Sequence, residues 1–134
     1  IIDETYDDIH IKQNLIANDN KLSIKDKMYA LCTVETKYEN AMRLDRIYEA
    51  EEFLPDIYQY FMYKYELGWE IAKKVLLQGI KDDVFEDVNP NLVIQLLIRG
   101  MKMLCQGNFQ TENMITYQDG LKEMVNIVIK GISK

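Results

Sequence analysis

Apolar residues recur at steps of three and four along most of the chain, and no alternating run persists. This pattern predicts an all-α fold of about six helices. Ile2, Tyr6, Ile9 and Ile16 mark a first helix within residues 1–20, closed by the turn formers Asn18-Asp19-Asn20. Ser23-Ile24-Lys25-Asp26 reads as the next start, with the Ser23 hydroxyl accepting from a free backbone N–H and Asp26 favouring the positive end of the helix. Ile24, Met28, Leu31 and Cys32 supply its apolar face. After a weakly marked break near Tyr38–Asn40, Ala41, Leu44, Ile47 and Tyr48 define a third face that ends near Glu52.

Pro55 suits the first turn of a helix, where its missing N–H is no loss. From there to Lys81 runs the longest predicted helix. Tyr58, Phe61, Tyr65, Trp69, Ala72, Leu76 and Ile80 form its stripe, with Asp56, Gln59, Glu66, Glu70 and Lys73 opposite. Residues 82–88 connect it to a helix opened by Asn89-Pro90, an N-cap followed by proline, and stopped by Gly107-Asn108. The last predicted helix spans about Glu112 to Ile132.

These final two helices are unusually apolar. In the first, Asn91, Gln95, Arg99, Lys102 and Gln106 form one narrow polar strip and nearly every other position is apolar. In the second, Tyr117, Leu121, Val125, Val128 and Ile132 form a stripe that Met124, Ile127 and Ile129 widen. A surface helix needs one apolar face. Wider faces suggest cover by a second copy, two helices from each building an isologous four-helix bundle. The expected interface residues are Leu96, Met103, Tyr117, Leu121, Met124, Val125, Val128 and Ile132. The competing reading makes both helices central in a monomer.

The 134 residues fit a single domain over 1–134, and 48% hydrophobic with 28% charged residues is a globular composition. A net charge of −6 without a Lys/Arg cluster gives this piece no nucleic-acid surface. No apolar stretch spans a membrane and no signal peptide is visible. A chain beginning with Ile1 reads as a piece of something longer, or as one whose start is not shown. Cys32 and Cys105 read as buried reduced thiols rather than a disulfide, which points to the cytoplasm.

Candidate chemistry is sparse. His10, the sole histidine, reads as a solvated surface residue near a chain end. Helical di-iron sites need paired Glu-x-x-His motifs and zinc sites favour Cys-x-x-Cys, and neither occurs. Asp82-Asp83-Val84-Phe85-Glu86-Asp87 lacks the central glycine and closing glutamate of a calcium loop and reads as a solvated turn. No catalytic residue, metal site or cofactor is expected.

The stretch from Gln78 to Leu92 resembles the passage that joins the seventh and eighth helices of tetracycline-repressor (TetR) family regulators. Gly79, Ile80, Phe85, Asn89 and Pro90 carry the likeness, while Asp83 stands where the family has a second glycine. Ala50–Ile57 resembles the segment that opens the family's long helix, and Ile98-Arg99-Gly100-Met101 a small-residue step in its eighth. The resemblance implies helices four to nine of that fold, with the three-helix DNA-binding head preceding Ile1. It also implies a homodimer that holds two heads at operator spacing, and a small apolar or amphipathic effector whose binding releases the DNA. Met28, Cys32, Met42, Tyr58, Phe61, Met62, Tyr65, Trp69, Leu97 and Met101 are the expected pocket lining, with Gly68 leaving room beside Trp69. A helical interaction module without a ligand is the first alternative, and a small helical enzyme the second.

Overall fold

Local start signals and one continuous apolar stripe organise the chain around a single long helix. The computed structural model describes residues 2–34, 44–106 and 108–134, and all named elements among them are helices. They are α1 (Ile2–Ala17), α2 (Ile24–Cys32), α3 (Leu44–Phe53), α4 (Pro55–Lys81), α5 (Pro90–Cys105), α6 (Phe109–Glu112) and α7 (Tyr117–Ile132). The all-α expectation holds, with seven helices rather than about six. The additional one arises because the expected last helix is two: α6 is a single short turn, and α7 starts afresh at Thr116, whose hydroxyl accepts from Asp119 N at 3.1 Å. A Thr three residues before an acid is a start signal in its own right.

The other start signals act as their chemistry requires. Ser23 Oγ accepts from Asp26 N, and Asn89 Oδ1 accepts from Leu92 N, both at 3.1 Å. Pro55 and Pro90 stand in the first turns of α4 and α5. α1, α2, α3 and α5 all pack on α4, and α7 packs on α5 and α2. The core between them holds Met28, Trp69, Ala72, Leu76, Phe85, Val93, Leu97, Leu104 and Val125. Ion pairs from Lys64 of α4 to Asp3 and Asp7 of α1, at 3.4 and 3.9 Å, trim the outside of the α1–α4 contact.

The turn after α4 carries the motif singled out in the sequence, and its geometry accounts for the spacing. Val84 N donates to Gly79 O at 2.9 Å and Asp83 N to Ile80 O at 3.2 Å. This is the Schellman closure of a helix, which needs a left-handed residue just after the C-cap. Asp83 is that residue, with φ of 63°. The chain then returns over its own helix and sets the Phe85 ring, 1% exposed, against Gly79. Glu86 N donates to Ile132 O at 2.7 Å and Lys134 N to Val84 O at 3.1 Å, which ties the end of α7 to this turn.

A left-handed aspartate is tolerated but disfavoured relative to glycine. Its carboxylate also pairs with Lys134 in an exposed contact of small value. Asp83→Asn removes the charge alone and serves as the reference. Asp83→Gly is expected to be more stable than Asp83→Asn by ~0.5–1 kcal/mol in urea unfolding. Equal stability of the two variants would mean that the backbone at this position carries no conformational cost.

Candidate functional site

A cavity of about 130 Å³, open on one side, lies where five of the helices converge. α1 contributes Tyr6, Ile9, His10 and Gln13, and α4 contributes Tyr65, Gly68, Trp69 and Ala72. Leu31, Cys32 and Val34 close it from the end of α2, with Met101 of α5 and Tyr117, Gln118 and Leu121 of α7. The cavity is close in size to an engineered apolar cavity of about 150 Å³ that takes up benzene. Among the described residues that line it there is no Lys, Arg, Asp or Glu.

Its aromatic wall is ordered by stacking along α4. The Phe61 and Tyr65 rings stack at 5.6 Å, Trp69 meets Tyr65 edge-on at 6.0 Å, and Tyr6 of α1 meets Phe61 edge-on at 5.8 Å. The Tyr65 hydroxyl donates to Met101 Sδ at 3.2 Å, a weak acceptor that a better one can displace.

Further polar side chains come from α1 and α7, His10 and Gln13 from the first and Tyr117 and Gln118 from the second. Gln13 is 7% exposed, and its Oε1 accepts no hydrogen bond. Its amide turns its oxygen and nitrogen edge toward Gly68: a Cβ there would come within 3.0 Å of both, with the amide carbon behind them at 3.5 Å. His10 Nε2 is also buried without a partner. Burial pushes the imidazole below the usual histidine range, and a hydrogen bond to the Lys64 backbone works against that shift. A bond that favours the charged ring is one the ring donates. Unpaired buried acceptors cost roughly 1–3 kcal/mol each.

Cys32 and Cys105 are both free thiols. Burial raises the Cys32 pKa to about 12, so the thiol stays protonated and acts as apolar wall, not as a nucleophile. Among the described residues no three His, Cys, Asp or Glu side chains gather as metal ligands, and no helix is long and apolar enough to cross a membrane.

Cys32, Tyr65, Trp69 and Met101 of the expected lining meet at the cavity. Met28, Phe61 and Leu97 do not line it: they are packed in the core at 1% exposure or less. Tyr58 and Met62 are half-buried further along α4, and Met42 lies outside the described residues. Gly68 does leave room, for the Gln13 amide above all.

The expected interface set divides. Leu96 and Met103 are exposed, and Met124 and Val128 sit half-buried at the edge of the core. Leu121, Val125 and Ile132 are buried within the subunit, and Tyr117 lines the cavity. The reason is that the stripe of α7 is the face it turns toward α5 and α2.

His10 and Gln13 were not expected here, His10 having been read as a surface residue. The signal for Gln13 was present: it falls in register between Ile9 and Ile16, a polar residue on an apolar stripe. No family model, curated protein or solved structure matches the chain.

Proposed function

We propose that this chain is the effector-sensing and dimerisation domain of a TetR-like transcriptional repressor, in which a small molecule held between the helices releases operator DNA. The observation that carries the reading is the cavity: apolar, of benzene-scale volume, and walled by five helices at once. Pockets of this kind, with a few convergent polar groups, are what small ligands use. A molecule wedged among α1, α2, α4, α5 and α7 acts on the placement of every helix it touches. It shifts the equilibrium by its differential affinity for the two arrangements, and DNA weakens its binding by the same factor.

The TetR-like part rests on the Gly79–Pro90 passage and on helix order, with a 27-residue α4 followed by the Schellman turn and a proline-started α5. DNA contact falls to a helix-turn-helix head outside this chain, since the acidic domain offers phosphates no basic surface. Dimerisation is supported by the outer face of α5. Leu92, Leu96 and Met103 stand exposed there in one helical stripe with Arg99, and Ile127 of α7 is exposed as well.

Trp69 is the only tryptophan and lines the cavity, so its fluorescence reports occupancy. Toluene is expected to change that fluorescence saturably and to raise the melting temperature. Ala72→Leu, which fills the wall beside Trp69, is expected to weaken the response at least tenfold. An unsaturable response, equal in wild type and Ala72→Leu, would mean that this space is not a binding site.

A further inference from the structure

A second hollow, a groove of about 340 Å³ open to solvent, lies where the end of α1, the start of α2 and the second half of α4 meet. It shares no lining residue with the cavity beside Trp69. Ile24 of α2 and Ile71 and Val75 of α4 give it an apolar side. Lys27 of α2 and Lys74 of α4 line it as well, and among the described lining residues there is no Asp or Glu. We infer that this groove binds a small organic acid, its carboxylate at the two lysines and its hydrocarbon body along Ile24, Ile71 and Val75. The inference stands apart from the sensing role proposed above.

The two lysines carry the argument. In a chain of 22 acidic residues and net charge −6, partners for a lysine abound. Neither Lys27 nor Lys74 makes an ion pair among the described residues. Glu70 stands one turn before Lys74, the favourable order for a helical pair, and the two do not pair. Lys27 has no acid three or four residues away on either side. The negative end of α1 does not engage them either. Its free carbonyls are met from within, Asn18 N and Nδ2 donating to Asn14 O and Asp19 N to Ile16 O. Two like charges on one groove repel, and an anion between them turns that repulsion into attraction.

The remaining surface decides which anion fits. An inorganic ion would leave Ile24, Ile71 and Val75 wet, whereas a hydrocarbon body takes them out of water. The volume falls within the range of about 300–1,000 Å³ that small-molecule pockets occupy. Gln78 and Asn18 each use one amide N–H, on Asp82 Oδ1 at 2.8 Å and Asn14 O at 2.9 Å, and each keeps a second to offer a carboxylate.

Octanoate, octanamide and octylamine are probes of nearly equal length that differ in charge. By calorimetry at about 50 mM salt, octanoate is expected to bind about fivefold more tightly than octanamide, a modest ratio because the lysines are partly solvated. Octylamine is expected not to bind, and acetate and phosphate not to displace octanoate. In the double variant Lys27→Gln, Lys74→Gln, octanoate should bind no more tightly than octanamide. The variant should melt like the wild type, since neither lysine leaves a partner behind. Ala72→Leu, which fills the cavity beside Trp69, should leave octanoate affinity unchanged.

Octanamide binding as tightly as octanoate to the wild type overturns the inference, and that comparison needs no variant. An undiminished octanoate preference in the folded double variant overturns it too, as does displacement by acetate or phosphate. Octanoate binding lost in Ala72→Leu would place the acid beside Trp69 instead. None of these results touches the sensing role, which toluene tests at the other cavity.

Discussion

Phe85→Ala is expected to remove about 3–5 kcal/mol of stability, a large part of the 5–15 kcal/mol that holds a domain folded. The ring is 1% exposed and sits where the turn after α4, the end of α7 and the α2 side of the core meet. Its removal opens a cavity that these three elements cannot all close. Gly79→Ala tests the same contact from the other side. In an ordinary helix this change gains up to about 1 kcal/mol. Here the new methyl would be driven into the Phe85 ring and to within 3.0 Å of Ile24 Cγ2. The ring has no free space to retreat into, so a net loss of about 1–3 kcal/mol is expected. In the double variant the methyl enters space the ring has left. The loss in the double variant should then fall short of the sum of the two single losses by about 0.5–3 kcal/mol in urea unfolding followed by circular dichroism. Additive losses would show that Gly79 and Phe85 do not touch.

This contact also explains why part of the fold is legible in the sequence. A glycine six residues before a phenylalanine, with a left-handed position between, is a local device: hydrogen bonds within one turn bring the ring back onto the helix. Ser23, Pro55 and Asn89-Pro90 are local in the same sense, and each starts a helix where the sequence puts it. The direction of an apolar stripe is different, because it depends on which distant segment arrives to cover it. Tyr117, Leu121, Val125 and Ile132 announce that α7 has an oily face without saying that α5 and α2 of the same subunit cover it. The cavity lay further from reach. Its aromatic half is visible along α4, but its polar residues come from α1 and α7, which reach it only in three dimensions. Gln13, a polar residue on an apolar stripe, was a sign in the sequence that α1 turns a polar group inward.

Arginine at Leu121 and arginine at Leu96 are expected to do opposite things. Leu121 is 5% exposed and lines the cavity, so Leu121→Arg buries a guanidinium with no carboxylate among the lining residues to receive it. A loss above about 4 kcal/mol follows, enough to abolish the cooperative thermal transition or lower its midpoint by more than about 10 °C. Leu96 is 56% exposed. An arginine there costs an isolated subunit less than about 0.5 kcal/mol, and Leu96→Arg is expected to unfold like the wild type once dilution has separated the copies. Its effect should fall on assembly. If two copies meet through the outer face of α5, Leu96 lies opposite its own counterpart or close to it, because an isologous interface repeats every contact. Two arginines are then forced together without a counter-charge. Sedimentation at tens of micromolar should show a dimer for the wild type and a monomer for Leu96→Arg. A wild type that sediments as a monomer, or a Leu96→Arg variant that still sediments as a dimer, removes this face as the interface. Leu121→Arg cannot decide the matter, because a chain that fails to fold loses every interface it has.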